Sequence, residues 1–181
     1  RIINEKGFEG ISRAHIIYLF RTPTLHHTDN PPLFIATDIL CDISSSRLYK
    51  ALREEEGLTY GISRELTVAN DYGNYFVSFD VDQKDVRKAI DRTDNELIKL
   101  SAEDISDEEL EEARKRLGIN ALSDIYGPGV SANIRLELDR YNFNKFSYIK
   151  SIFSVEKHDV KRVFQEYLTP DKSMVNIAYP A

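Results

Sequence analysis

Residues 52–61 read LREEEGLTYG. Arg53 and Tyr60 each carry hydrogen-bond donors on a long side chain, separated by Glu54, Glu55, Glu56 and Gly57 and the start of an apolar run. A guanidinium and a phenol offered to one cleft could hold a peptide carbonyl or an oxyanion without needing a metal. Glycine takes the left-handed conformation at a helix C-terminus without steric cost, so Gly57 is placed to end a helix. A helix that ends there and reverses directly into a strand can leave Arg53 and Tyr60 at the same edge of the fold. The same residues admit a structural reading. Arg53 in a last helical turn favours the helix dipole, Tyr60 has good β propensity, and the glutamates are a solvated helix end.

Other chemistries lack their residues. The histidines are His15, His26, His27 and His158, and none has a partner at the spacing that sets two imidazoles on one helical face. His15 lies inside an apolar run and reads as a hydrogen-bonded core or boundary residue. His26, His27 and Asp29 read as a solvated loop. The nearest approach to a G-x-S-x-G elbow, Gly61 to Glu65, lacks its final glycine. Cys41, the single cysteine, cannot form an intramolecular disulfide and reads as a small buried residue on a helix. Neither a dinucleotide fingerprint nor a P-loop occurs. Glu108, Glu109, Glu111 and Glu112 follow a helical surface.

The chain has 181 residues, with 24 basic and 30 acidic side chains and a net charge of -6. That balance argues against a surface built to neutralise nucleic-acid phosphates and leaves peptide and protein partners open. The length suits one domain spanning residues 1–181, and the absence of an initiator methionine suggests a piece of a longer multidomain chain. No apolar run approaches the roughly 20 residues needed to span a bilayer. One unpaired cysteine is compatible with a reducing cytoplasm.

The elements that would position Arg53 and Tyr60 follow from periodicity. Ala14 to Arg21 is an apolar, β-branched run that predicts a buried strand. Pro31 and Pro32 suit a helix start, with Leu33, Ala36 and Leu40 at helical spacing. Ser44 to Ser46 break that helix and cap a second one carrying Leu48, Ala51 and Leu52. Thr59 to Ala69 and Asn74 to Val81 predict a hairpin around Asn70 to Gly73. From Asp85 the period becomes helical, with Val86, Ala89, Ile90, Thr93, Leu97 and Leu100 on one stripe. Ser106 and Glu109 form a capping-box pattern opening a helix that runs to Ile125. Gly127-Pro128-Gly129 breaks it, Ser131 to Tyr141 reads as a further helix, and a mixed aromatic stretch follows. His158 to Leu168 is a helix and Met174 to Tyr179 a last strand. Collapsing each helical stretch to one layer gives a split β-α-β-β-α-β order with extra helices. That order predicts an α+β two-layer sandwich whose largely antiparallel sheet carries helices on one face.

The series SSSRLYKALREEEGLTYGISRELTVANDYGNYFVSFDV resembles the second-domain signature of the M16 metallopeptidases, the pitrilysin, insulinase and mitochondrial-processing-peptidase group. The likeness extends through SDEELEEARKRL, HDVKRVFQEYLTP and the last strand. It implies a C-terminal, zinc-free domain whose zinc lies in an N-terminal domain or subunit bearing an inverted H-x-x-E-H motif. It also implies unfolded peptide as substrate and homo- or heterodimeric assembly. Arg53 and Tyr60 match the arginine and tyrosine that face the zinc in that family and assist hydrolysis. The chain departs from the pattern where Cys41-Asp42-Ile43 replaces the usual glycines, and as one domain it is expected to be inactive alone. A non-catalytic partner subunit of the same family and a stand-alone ferredoxin-like module are the competing readings.

Overall fold

The computed structural model describes residues 1–42, 45–126 and 144–181. Five strands form one sheet in the order β1-β5-β2-β4-β3. They are β1 (Ile2–Phe8), β2 (Ala14–Arg21), β3 (Ile62–Val68), β4 (Gly73–Val81) and β5 (Ser173–Pro180). The pairs β2–β4, β2–β5 and β3–β4 are antiparallel, while β1–β5 is parallel. The largely antiparallel sheet expected from the sequence is therefore present, and β2 to β5 keep the split order.

β1 is the addition that periodicity did not show. It lies at the sheet edge, and all seven of its residues are exposed. A strand that buries neither face has no reason to alternate, so IINEKGF carries no period-2 signal. Its partner is 172 positions away, with Ile2 opposite Met174 and Phe8 opposite Pro180.

Alternation is strict in the central strands. Ala14, Ile16, Tyr18 and Phe20 of β2, with Tyr75, Val77, Phe79 and Val81 of β4, turn inward and are buried. Burying a large apolar side chain of this kind stabilises the fold by roughly 1.5–3 kcal/mol. The helices cover that face. They are α1 (Asn30–Leu40), α2 (Arg47–Tyr49), α3 (Val86–Ala102), α4 (Asp107–Tyr126), α5 (Lys145–Ser154) and α6 (Lys157–Tyr167). The stripe Val86, Ala89, Ile90, Thr93, Leu97 and Leu100 is buried throughout. Tyr18 Oη reaches the Ile90 carbonyl of α3 at 3.3 Å, and Tyr75 Oη the Thr37 carbonyl of α1 at 3.4 Å, so the two ring hydroxyls stay satisfied at the layer boundary.

The Ser106–Glu109 capping box forms as expected. The Glu109 amide donates to Ser106 Oγ at 3.1 Å, and the Ser106 amide donates to Glu109 Oε2 at 2.9 Å. The aromatic stretch that showed no clear period becomes α5, capped by Asn144 accepting from the Ser147 amide at 3.1 Å. Its Tyr148 ring meets Phe34 of α1 edge-on at 5.5 Å. Cys41 is buried at the end of α1, its amide bonded to the Thr37 carbonyl, and burial pushes its thiol up to about 12. Ile43, Ser44, the Gly127-Pro128-Gly129 turn and the helix expected over 131–141 lie outside the described residues.

Charges bolt the helix layer together beneath this core. Asp38 of α1 is fully buried and accepts from Arg116 of α4 at 2.6 and 3.1 Å. Arg64 of β3 donates to Asp42 just beyond α1. Arg47 of α2 grips Glu109 with two bonds, at 2.6 and 3.0 Å, a bidentate geometry that fixes angle as well as distance.

Candidate functional site

The helix bearing Arg53 is not a plain α-helix. α2 passes directly into a π-helical turn over Lys50–Glu55, which carries Arg53. Leu48, Ala51 and Leu52 point into the core, leaving Arg53 on the exposed side. Gly57 then adopts φ +62°, the left-handed conformation expected of it. Its amide bonds the Arg53 carbonyl at 3.2 Å, and the Leu58 amide bonds the Leu52 carbonyl at 2.8 Å. Each bond spans one residue more than in a Schellman closure, as the wider π turn requires.

That closure drives Leu58 and Thr59 inward, both 5% exposed, and Tyr60 outward at 82%. Thr59 Oγ1 bonds the Gly61 carbonyl at 2.9 Å, and this local bond competes with ladder formation. β3 accordingly starts at Ile62 rather than at Thr59, and Tyr60 sits on the connecting loop rather than in a strand.

The two predicted residues do share a cleft. Arg53, Gly57, Leu58, Thr59 and Tyr60 line one side and Arg13, Asp82 and Asp85 the other, around a volume of about 500 Å³. The Arg53 guanidinium lies 4.9 Å from the centroid of the Tyr49 ring, one turn earlier. Among the described residues it forms no ion pair or hydrogen bond, so its five N–H donors are free for a ligand. The phenol of Tyr60 is likewise without a hydrogen bond among the described residues.

Arg13 is the cleft residue that motif reading missed. It precedes β2, and the register that pairs Ala14 with Val81 sets it beside Asp82. Its Nε donates to Asp82 Oδ1 at 3.2 Å, its Nη2 to the Leu58 carbonyl at 3.2 Å, and its Cζ lies 5.5 Å from the Tyr60 ring centroid. Only strand register could have revealed it.

Two of the three glutamates between Arg53 and Tyr60 have partners on α3. Glu56 pairs with Lys88 of α3 at 2.6 Å, and Glu55 pairs with Arg92. The Lys88 hydrogen bond, against a smaller opposing effect of burial, holds the Glu56 carboxyl below its usual range. They tether the π turn to α3, away from the cleft.

His15 and His27 make hydrogen bonds within the fold. His15 stands half-buried on the open sheet face with Nδ1 2.6 Å from Asp80, which fits its reading as a hydrogen-bonded boundary residue. His27 Nδ1 accepts from the Asp29 amide at 3.1 Å, while the Asp29 carboxylate takes Arg162 at 2.6 Å and Tyr167 at 2.7 Å. Among the described residues no group of three or more His, Cys, Asp and Glu could hold a metal ion, and no helix is long and apolar enough to cross a membrane.

A family model described as the peptidase M16 inactive domain matches residues 1–117. Over 90 residues, 48% of this chain and 7% of its relative, the sequence is 37% identical to the chloroplastic stromal processing peptidase of Pisum sativum. Among solved structures, a peptidase M16 inactive domain from Pseudomonas fluorescens superposes with a TM-score of 0.84 at 18% identity, over 99% of this chain and 43% of that one. An inactive peptidase domain from Bordetella parapertussis gives 0.83 at 22%, covering 96% and 94%. The periplasmic protease PqqL of Escherichia coli gives 0.77 at 15%, covering 99% and 21%. The chain thus spans under half the length of the pea, Pseudomonas and Escherichia proteins.

Proposed function

The chain belongs to the peptidase M16 inactive-domain family, and from that premise we propose that it supplies substrate-holding donors to a zinc site carried by another domain or subunit of a peptidase. The observation that carries the reading is the shared cleft. Arg53 and Tyr60 open onto one space, and among the described residues neither is satisfied by a carboxylate. Side chains already committed to ion pairs would have to break them to bind substrate. These two do not.

In such a parent, zinc in the other domain would supply the Lewis acid, and no ligand set for it exists among the described residues of this chain. This chain's part is to bind and orient. Arg53 would clasp a backbone carbonyl of an extended, unfolded peptide, and Tyr60 Oη would donate to the carbonyl oxygen as negative charge develops on it. Donors that engage the transition state more strongly than the ground state raise turnover. The partners this implies are the N-terminal zinc-binding domain or subunit, the peptide, and a homo- or heterodimeric assembly that encloses it.

The test is hydrolysis of an unfolded fluorogenic peptide by the full-length protein. Replacing one such donor costs about 100- to 1,000-fold in kcat, so Tyr60→Phe and Arg53→Ala should each fall by a factor of this order. Unchanged turnover in both variants would sink the reading.

A further inference from the structure

Tyr60 occupies an exposed position that its own loop does little to hold. Gly57 and Gly61 flank the segment, and no atom stands within 4 Å of a Cβ built at either. Leu58 and Thr59 anchor the backbone, but the phenol projects 82% exposed with no hydrogen bond among the described residues. A tyrosine in that setting has several staggered rotamers open to it.

The group that meets its ring is Arg13, and Arg13 is itself held at two points. The Asp82 carboxylate, beyond β4, takes its Nε, and the Leu58 carbonyl takes its Nη2. Leu58 is two residues before Tyr60, so the same guanidinium grips the loop backbone and lies over the ring, with Cζ 5.5 Å from the centroid. That distance falls within the roughly 6 Å over which a cation is attracted to an aromatic face. The Asp82 anchor follows β4 and the Leu58 anchor precedes β3, two strands that pair in the sheet.

We infer that Arg13 is a positioning residue for Tyr60, a planar cation fixed between Asp82 and the Leu58 carbonyl that sets the direction in which the phenol enters the cleft beside Arg53. The inference rests on the reading of Tyr60 as a substrate donor. A planar, forked guanidinium suits this task, because it can stack on the ring while keeping both hydrogen bonds. A lysine would keep the charge but lose the plane and the fork.

The experiment is a double-mutant cycle in the full-length protein, combined with the NMR signal of the Tyr60 ring after 13C labelling of tyrosine. Arg13→Gln should lower kcat/KM roughly two- to fivefold, the scale of one exposed cation–π contact. The same substitution should cause no further loss in a Tyr60→Phe background, because the oriented hydroxyl is already gone. Arg13→Lys should restore little. In both Arg13 variants the Tyr60 resonance should shift and sharpen toward that of a free tyrosine. An equal loss in the wild-type and Tyr60→Phe backgrounds would overturn the inference, since Arg13 would then act without the Tyr60 hydroxyl. An unaltered Tyr60 resonance would overturn it whatever the kinetics. If Tyr60→Phe itself leaves hydrolysis intact, the reading of Tyr60 as a substrate donor fails, and the resonance alone still decides whether Arg13 positions the ring.

Discussion

Arg53 lies over the ring of Tyr49, with its guanidinium carbon 4.9 Å from the ring centroid. The contact places the cation without using up its hydrogen bonds, which an ion pair would have done. Tyr49→Leu keeps the helix and its apolar bulk while removing the aromatic face. Turnover of peptide by the full-length protein should fall roughly two- to fivefold, with thermal stability nearly unchanged. A loss of activity that tracked a large loss of stability would mean Tyr49 acts through packing instead.

Gly57 should tolerate few replacements. Its φ of +62° costs an L-residue with a Cβ about 1–2 kcal/mol, even though the space beside it is open. Gly57→Ala should lower the unfolding free energy obtained from urea titration by that amount, and Gly57→Asn should recover part of the loss because asparagine visits this conformation more readily. Equal destabilisation by Ala and Asn would point to a contact rather than to backbone strain.

Gly73 fails for a different reason. A Cβ there would meet the Pro23 carbonyl oxygen at 2.1 Å and the Thr22 carbonyl oxygen at 2.7 Å, both backbone atoms that cannot swing aside. Gly73→Ala should destabilise by at least about 1–3 kcal/mol, the usual scale of overpacking, as measured by chemical denaturation. A neutral result would mean that the segment after β2 relaxes freely.

Two carboxylates should leave opposite marks on the pH dependence of stability. The Arg162 hydrogen bond, with Tyr167 assisting and burial opposing, holds Asp29 below the usual carboxylate range. Its stabilisation is complete above the unfolded-state value, roughly 3.9, and is lost as pH falls through the lower folded value. Asp29→Asn should reduce stability at neutral pH and flatten the acid limb of a thermal-melt series.

Asp38 runs the other way. Burial pushes it up to about 6 against the opposing pull of Arg116, so the fold favours its protonated form. Its contribution is largest at low pH, declines as pH rises from about 4 to about 6, and is level above that. Asp38→Asn should remove this decline from the melt series. A slope that survives the substitution would assign it to another group.

Much of the fold was legible because it obeys local periodicity. The buried stripe of α3, the alternation of β2 and β4, the capping box at Ser106 and the left-handed Gly57 each depend on neighbours within a few residues. So does the pairing of Arg53 with Tyr60 at one edge, since a helix end and a reversal suffice to bring them together. The resemblance of the segment around them added the expectation of zinc in another domain. β1 was not legible, because an edge strand that buries nothing carries no pattern. α5 was hidden among mixed aromatics whose burial depends on α1.

Residue types and short spacings therefore determined the local elements, the sandwich and two of the residues that line the candidate cleft. Tertiary structure alone decided the rest. The π turn that widens the closure at Gly57 comes from backbone bonds with no residue signature, and the start of β3 at Ile62 that frees Tyr60 follows from the local bond of Thr59 Oγ1 to the Gly61 carbonyl. Arg13 reaches Tyr60 because β2 and β4 pair Ala14 with Val81, and strand register is a long-range outcome of packing two faces at once. A side chain whose partner is chosen by register cannot be assigned from its own neighbourhood in the chain.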